Sequence, residues 1–210
     1  MSSYVTRRRH LDTTDVGRVA VFAAVIAALG LPGSFSVFGA VPVTAQTLGV
    51  MLAGTILGAR LGALSVSVLL LLVAVGLPLL AGGRGGVGVF FGPSAGYLLG
   101  WIVGAIVIGA TVHAGGRRPS TWRTFLGLII GGILVVYALG IPVQSAVTRL
   151  PLAETALASL VFLPGDLVKV AIATTVVMTL VRAYPRAFRR SWPTSSASTP
   201  PSDSETVTHT

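Results

Sequence analysis

The chain has 210 residues, 53% of them hydrophobic and only 10% charged, with a net charge of +9 and a mean hydropathy of +0.86. A soluble domain usually carries about 25% charged residues, so the composition excludes an ordinary soluble globule and predicts a polytopic membrane protein. The lack of any cysteine excludes disulfides, thiolate catalysis and thiol metal sites.

The chain opens "MSSYVTRRRHLDTTDVGRVAVFAAVIAALG", basic residues followed by an apolar run, as in a signal peptide. Asp12 and Asp15 interrupt the approach and further spans follow, so a retained first helix is expected over Val16–Leu31. The next segment, "VFGAVPVTAQTLGV" (37–50), is apolar but broken by Pro42, which suits extended backbone lying against the bundle. Gln46 then starts a short second span, Gln46–Leu57, and a third follows over Leu61–Leu79. The glycine-rich stretch "LLAGGRGGVGVFFGPSAGYLLG" (79–100) lacks the G-x-x-x-x-G-K-[ST] pattern of a phosphate cradle. Its glycines suit a loop that bends and approaches other backbone closely. Pro93 and Ser94 are placed to start the fourth span, Ser94–Val112, with Tyr97 about one turn in. The fifth is expected over Trp122–Ile141 and the sixth over Pro164–Arg182.

The predicted fold is therefore an all-α integral membrane protein of six transmembrane helices, with an ordered loop cap on the outer side. Residues 1–15 form an N-terminal arm, 16–183 the bundle and 184–210 a tail, whose "SWPTSSASTPPSDSETVTHT" has no apolar period and is expected to be disordered. Glycines spaced four apart (Gly54 and Gly58; Gly96, Gly100 and Gly104; Gly127 and Gly131) suit close helix packing in lipid.

Arginines set the expected orientation. Arg7, Arg8, Arg9, Arg18, Arg60, Arg117, Arg118 and Arg123 group on one side with Arg182, Arg186, Arg189 and Arg190, against Arg84, Arg149 and Lys169 on the other. Excess Lys and Arg marks the cytoplasmic face, so both termini are expected inside a prokaryotic cell membrane. Because the basic residues adjoin apolar segments, they point to membrane lipid and not to nucleic acid. His10, His113 and His209 are too scattered for a metal site.

The chemistry concentrates in "FLPGDLVKV" (162–170). Of the six acids, Asp12, Asp15, Asp203 and Glu205 lie in the terminal arms and Glu154 in an outer loop; Asp166 alone enters a span. A carboxylate inside a membrane segment is costly, about 2.5–3.5 kcal/mol at the centre and less near an end. Pro164 suits a first turn, and Asp166 with Lys169 forms an i,i+3 pair. Two readings follow: a helix cap with a local ion pair, or a polar ligand site. Three other residues carry a similar choice. Gln46 is a helix-end hydrogen-bonder or a ligand contact, Arg84 a snorkelling cation or an anion receptor, and Tyr97 an interfacial belt residue or part of a pocket. Catalysis is not expected: no second intramembrane carboxylate accompanies Asp166 and no Ser–His pair lies within the spans.

The stretches "VPVTAQTLGVMLAGTILGARLGALSV", "GLPLLAGGRGGVGVFFGPSAGYLLG" and "FLPGDLVKVAIAT" together resemble the BioY family, the biotin-binding S components of energy-coupling-factor (ECF) vitamin transporters. The family more often reads G-P-T-G-G-Y where this chain has "GPSAGY", so Ala95 adds a methyl in a tight corner while Ser94 keeps a hydroxyl. The resemblance implies a six-helix, high-affinity biotin-binding subunit with its pocket near the outer face, biotin as transported ligand and no cofactor. It also implies a transmembrane coupling protein and two ABC-type ATPases as partners; the chain has no Walker motif of its own. Asp166 and Lys169 would meet the ureido ring and Arg84 the valerate carboxylate, or the reverse. Tyr97, Gln46, Val43, Thr44 and Ser94 would complete the site, with Val41–Val43 covering the ring. An Ala-x-x-x-Ala surface on the first helix, offered by Ala20 with Ala24 and by Ala23 with Ala27, would meet the coupling protein. Another small vitamin, or a purely structural membrane role, is the competing function.

Overall fold

The computed structural model describes residues 12–31, 44–114 and 119–184. Seven α-helices carry them: α1 (Thr13–Ala28), α2 (Gln46–Ala74), α3 (Ala95–Val112), α4 (Thr121–Ile129), α5 (Val135–Thr148), α6 (Leu152–Ser159) and α7 (Leu163–Ala183). A π-helical turn, Ile130–Leu134, joins α4 to α5, and a 3-10 turn, Leu160–Phe162, leads α6 into α7. Among the described residues, four stretches are long and apolar enough to cross a membrane: Gln46–Ala74, Ala95–Val112, Thr121–Thr148 and Leu152–Ala183. The architecture is an all-α membrane bundle. The segment 37–43 and the tail from 185 onward, for which extended and disordered backbone were expected, lie outside the described residues.

The expected second and third segments are joined as α2, and Gly58 separates them. Its backbone (φ 81°, ψ 179°) lies in a region essentially reserved for glycine. The two arms, 46–57 and 59–74, fold back on each other: a Cβ on Gly62 would lie 2.9 Å from both the Ala53 carbonyl oxygen and the Gly54 Cα. At the hairpin's open end Gln46 bonds to Leu79 and Ala81. The turn itself is packed under Gly109 of α3, where an added Cβ would collide with the Gly58–Ala59 backbone. The break also frees carbonyls at the end of the first arm, and His113 Nε2 sits 2.8 Å from the Thr55 oxygen. In turn the carbonyls of Thr111 and Ala114, at the end of α3, accept from Arg123 of α4.

Several helix ends differ from expectation. The third segment stops at Ala74 instead of Leu79, because Gly76 turns the chain with φ 115° and Pro78 follows. The fifth passes its expected end at Ile141 and runs through Pro142 to Thr148, ending at Arg149 in the left-handed region. Within a membrane bundle neighbouring groups absorb the one backbone bond a proline removes. The short helix α6 was not expected; it begins directly after Pro151.

The core has two parts. One joins Ala23 and Ile26 of α1 to Val50, Val66 and Leu69 of α2 and to Leu98, Trp101 and Ala105 of α3. The other joins Met51, Ile108, Leu128, Ile133 and Val170. Tyr137 packs against both. Several hydroxyls within the helices donate back to the carbonyl four residues earlier, as Ser65 does to Leu61 and Thr174 to Val170, so these need no partner in lipid. The helix directions sort the basic residues by end. Arg18, Arg60, Arg123 and Arg182 lie toward the end that holds the Gly58 turn, while Arg84, Arg149 and Lys169 lie toward the other.

Candidate ligand-binding site

At the end opposite the Gly58 turn, the starts of α2, α3 and α7 converge with the loop after α2 on an open cavity of about 630 Å³, its mouth included. Its walls are mainly aromatic and aliphatic: Leu80, Leu98, Trp101, Val136, Tyr137 and Phe162. Polar groups enter at two places.

The first is the start of α7. Pro164 occupies the first turn, and Asp166 follows with its carboxylate favoured by the helix N-terminus. Lys169 Nζ lies 2.9 Å from Asp166 Oδ1, and the two side chains are only 14% and 8% exposed. A pair so buried escapes the solvent screening that makes surface ion pairs nearly worthless. It is not isolated. Tyr137 donates to Asp166 Oδ2 at 2.7 Å, and Lys169 also donates to Thr47 Oγ1 at 2.9 Å. The charge is balanced, and α5, α7 and α2 are tied together there.

The second is the loop after α2. Leu80 and Arg84 exchange backbone hydrogen bonds, closing a tight turn of glycines. Arg84 Nε donates to the Ala81 carbonyl at 3.2 Å and Nη1 to Ser94 Oγ at 3.2 Å. Both partners are neutral, and among the described residues no carboxylate pairs with this guanidinium. Burial pulls the Arg84 pKa down from its ordinary value. The guanidinium is thus half-buried on the cavity wall with N–H donors to spare.

Of the residues singled out from the sequence, Thr44, Gln46, Arg84, Ser94, Tyr97, Asp166 and Lys169 all line this one cavity. Val43 lies outside the described residues. Gln46 also has a structural task. Its Nε2 donates to the carbonyls of Ile26 and Leu79, and its Oε1 accepts from Ala81 N, so it fastens α1 and the loop to the start of α2. Thr44 Oγ1 accepts from the Gln46 backbone N–H. Tyr97 is buried, not at a lipid interface: its hydroxyl donates to Gln144 Oε1 at 2.8 Å and lies 3.2 Å from Ser159 Oγ. Its ring meets Tyr137 edge-on at 6.4 Å.

Sequence reasoning missed Thr47, Trp101 and Tyr137. A tyrosine within an apolar span was the available signal, since a buried phenol needs a hydrogen-bond partner. On α1 the two alanine pairs separate. Ala23 is buried and Ala27 packs against the core, whereas Ala20 and Ala24 face outward. Ala23 is taken up in bundle packing, while Ala27 is half-buried beside it.

A model described as the BioY family matches residues 4–186. The chain is 45% identical over 181 residues to a Rhizobium etli protein named "Biotin transporter BioY", covering 83% of this chain and 97% of that one. It is 44% identical over 174 residues to a Bacillus subtilis protein named "Probable biotin transporter BioY", covering 82% and 93%. A solved structure, "Crystal structure at 2.1 A of the S-component for biotin from an ECF-type ABC transporter", is similar with a TM-score of 0.75 and 30% identity. That match covers 80% of this chain and 91% of the other.

Proposed function

The chain belongs to the BioY family, and we propose on that premise that it is the high-affinity biotin-binding membrane subunit, or S component, of an ECF-type transporter. It is a multi-pass membrane protein of a prokaryote and a transport protein, not an enzyme. The observation that carries the reading is the buried Asp166–Lys169 pair on the wall of an aromatic cavity that also contains Arg84.

Biotin carries a ureido ring at one end, with N–H donors beside a carbonyl acceptor, and a carboxylate on a flexible chain at the other. Asp166 is an acceptor and Lys169 a donor one helical turn away, which suits adjacent N–H and C=O groups. Arg84, held by Ala81 and Ser94, suits the carboxylate. Trp101, Leu98, Tyr97 and Val136 supply apolar surface for the fused rings between them. Gln46 and Thr44 complete the wall where the loop meets α2.

Six crossings are the finer reading: α1, the two arms of α2, α3, the α4–α5 rod and α7. The first arm of α2 is roughly 18 Å long at ~1.5 Å per residue, short for the ~30 Å hydrocarbon core, so the bilayer is expected to thin there. Residues 16–183 form the binding domain, with 1–15 and 184–210 flanking it. The arginine-rich end faces the cytoplasm, which places both termini inside and the pocket outside. Transport is energised by a coupling protein and ABC-type ATPases, and the exposed Ala20–Ala24 face of α1 is the surface that meets the coupling protein.

Equilibrium binding of labelled biotin to the purified, folded protein tests the reading. Saturable binding in the nanomolar to micromolar range is expected; a folded protein that binds nothing in that range overturns it.

A further inference from the structure

Asp166 and Lys169 face a difficulty as a ligand site. The two are in contact, and a contacting pair free to rotate need not turn its remaining lone pairs and N–H toward a ligand. In this pocket the pair is held from both outer ends. Tyr137 has a single O–H, and it is spent on Asp166 Oδ2, since a carboxylate can only accept. That bond fixes the plane of the carboxylate, so only Oδ1 meets Lys169. On the other side Thr47 Oγ1 takes a second N–H of Lys169 and draws the ammonium toward α2. Two of the three ammonium donors are then engaged, and one remains.

The clamps come from separate elements. Tyr137 stands just past the π-helical turn Ile130–Leu134, in the first turn of α5, and Thr47 in the first turn of α2. Both line the same cavity as the pair. Gly132, within the π turn, is on that wall as well, so the irregular turn and the tyrosine belong to one face.

We infer that Tyr137 and Thr47 are positioning residues for ligand recognition: they fix the orientation of the contacting Asp166–Lys169 pair, so that the remaining carboxylate lone pairs and the third ammonium N–H are presented together to a cyclic urea. The inference rests on the biotin reading and deepens it. Neither residue needs to touch the ligand. Their contribution is pre-organisation, since without them the pair must be oriented at the moment of binding.

Binding of biotin and of biotinamide, which keeps the ureido ring but lacks the carboxylate, separates this from a general loosening of the pocket. Wild-type protein that binds neither ligand overturns the biotin reading and with it this inference, whereas wild-type binding with unaffected variants overturns the inference alone. Tyr137→Phe removes one oxygen and is expected to weaken both ligands by the same factor, about ten-fold or more. Thr47→Val should act likewise, and Thr47→Ser should restore affinity to within about two-fold of wild type. A Tyr137→Phe loss seen with biotin but not with biotinamide would place its action at the carboxylate end and overturn the inference. Where Tyr137→Phe fails to fold, the Thr47→Val and Thr47→Ser pair decides. Equal losses in those two variants, or none in either, overturn it.

Discussion

Gly54 and Gly62 belong to one helical run but touch across a hairpin, with a Gly62 Cβ position 2.9 Å from the Gly54 Cα and 3.0 Å from its nitrogen. In a straight helix they would be about 12 Å apart. The contact exists because Gly58 reverses the chain between them. It brings Gln46, at the start of the first arm, beside the loop that carries Arg84. The pocket at one end of the bundle therefore depends on a glycine turn at the other.

Gly62→Leu is expected to destabilise the protein by at least ~1–3 kcal/mol, because the atoms in its way are backbone and cannot yield cheaply. Gly17→Ala, on α1 with nothing within 4 Å of its Cβ position, should be neutral or slightly stabilising. Thermal unfolding in detergent, followed by tryptophan fluorescence, compares them. Equal unfolding temperatures would mean the arms do not pack as described.

The buried pair predicts an asymmetry in stability. Lys169→Met leaves the Asp166 carboxylate buried with only Tyr137 for a partner, and breaking such a pair costs ~3–5 kcal/mol. Adding Asp166→Asn to that variant should recover much of the loss, since no unpaired charge remains. Both proteins should bind biotin at least about a hundred-fold more weakly than wild type. A double variant no more stable than Lys169→Met would show that charge is not what the pair contributes. Asp166→Asn alone leaves the Lys169 ammonium with only Thr47 and is expected to lose stability as well as biotin while still folding; a folded variant that binds biotin like wild type would favour a purely structural cap.

Arg84→Gln should weaken biotin by about ten- to a hundred-fold while leaving biotinamide within about two-fold. Burial pulls the Arg84 pKa downward, so the charged form carries a desolvation cost near neutrality that an incoming carboxylate relieves. An arginine still stays protonated across the working range. Biotin affinity should therefore hold steady from neutral to mildly alkaline pH and decline only toward the carboxylic acid range near ~4–5, where the ligand loses its charge. Isothermal titration across pH checks the profile. A decline beginning above neutrality would point to a different anion receptor.

Gln46→Ala removes the partner of the Ile26 and Leu79 carbonyls and of the Ala81 N–H in one step. A stability loss of about 2–4 kcal/mol is expected from the buried groups left unpaired. Saturating biotin should restore part of it, because a ligand bound across the loop and α7 stabilises the folded state. Unfolding temperatures with and without biotin measure both effects. An unchanged apo protein would reduce Gln46 to a wall residue.

The sequence by itself determined the class of the molecule. With so few charges it can only be at ease in lipid, and in lipid a lone carboxylate or cation needs a reason, which is why Asp166, Lys169 and Arg84 stood out before any contact was known. It determined the helix starts where proline or a short polar residue marks them, as at Ser94 and Pro164. Tertiary structure decided what those residues do. Gln46 became a bridge because Gly58 turns the chain and returns Leu79 and Ala81 to it. Ala23 was absorbed into the core and Ala27 packed against it while Ala20 and Ala24 were left outside, a matter of helix rotation that an alanine repeat does not encode. Tyr137 entered the site because α4 and α5, joined by a π turn, set its hydroxyl against Asp166, far away along the chain. A hydrogen bond is short-ranged and directional, so its partners are fixed by packing, whereas the cost of burying a charge in lipid follows from composition alone.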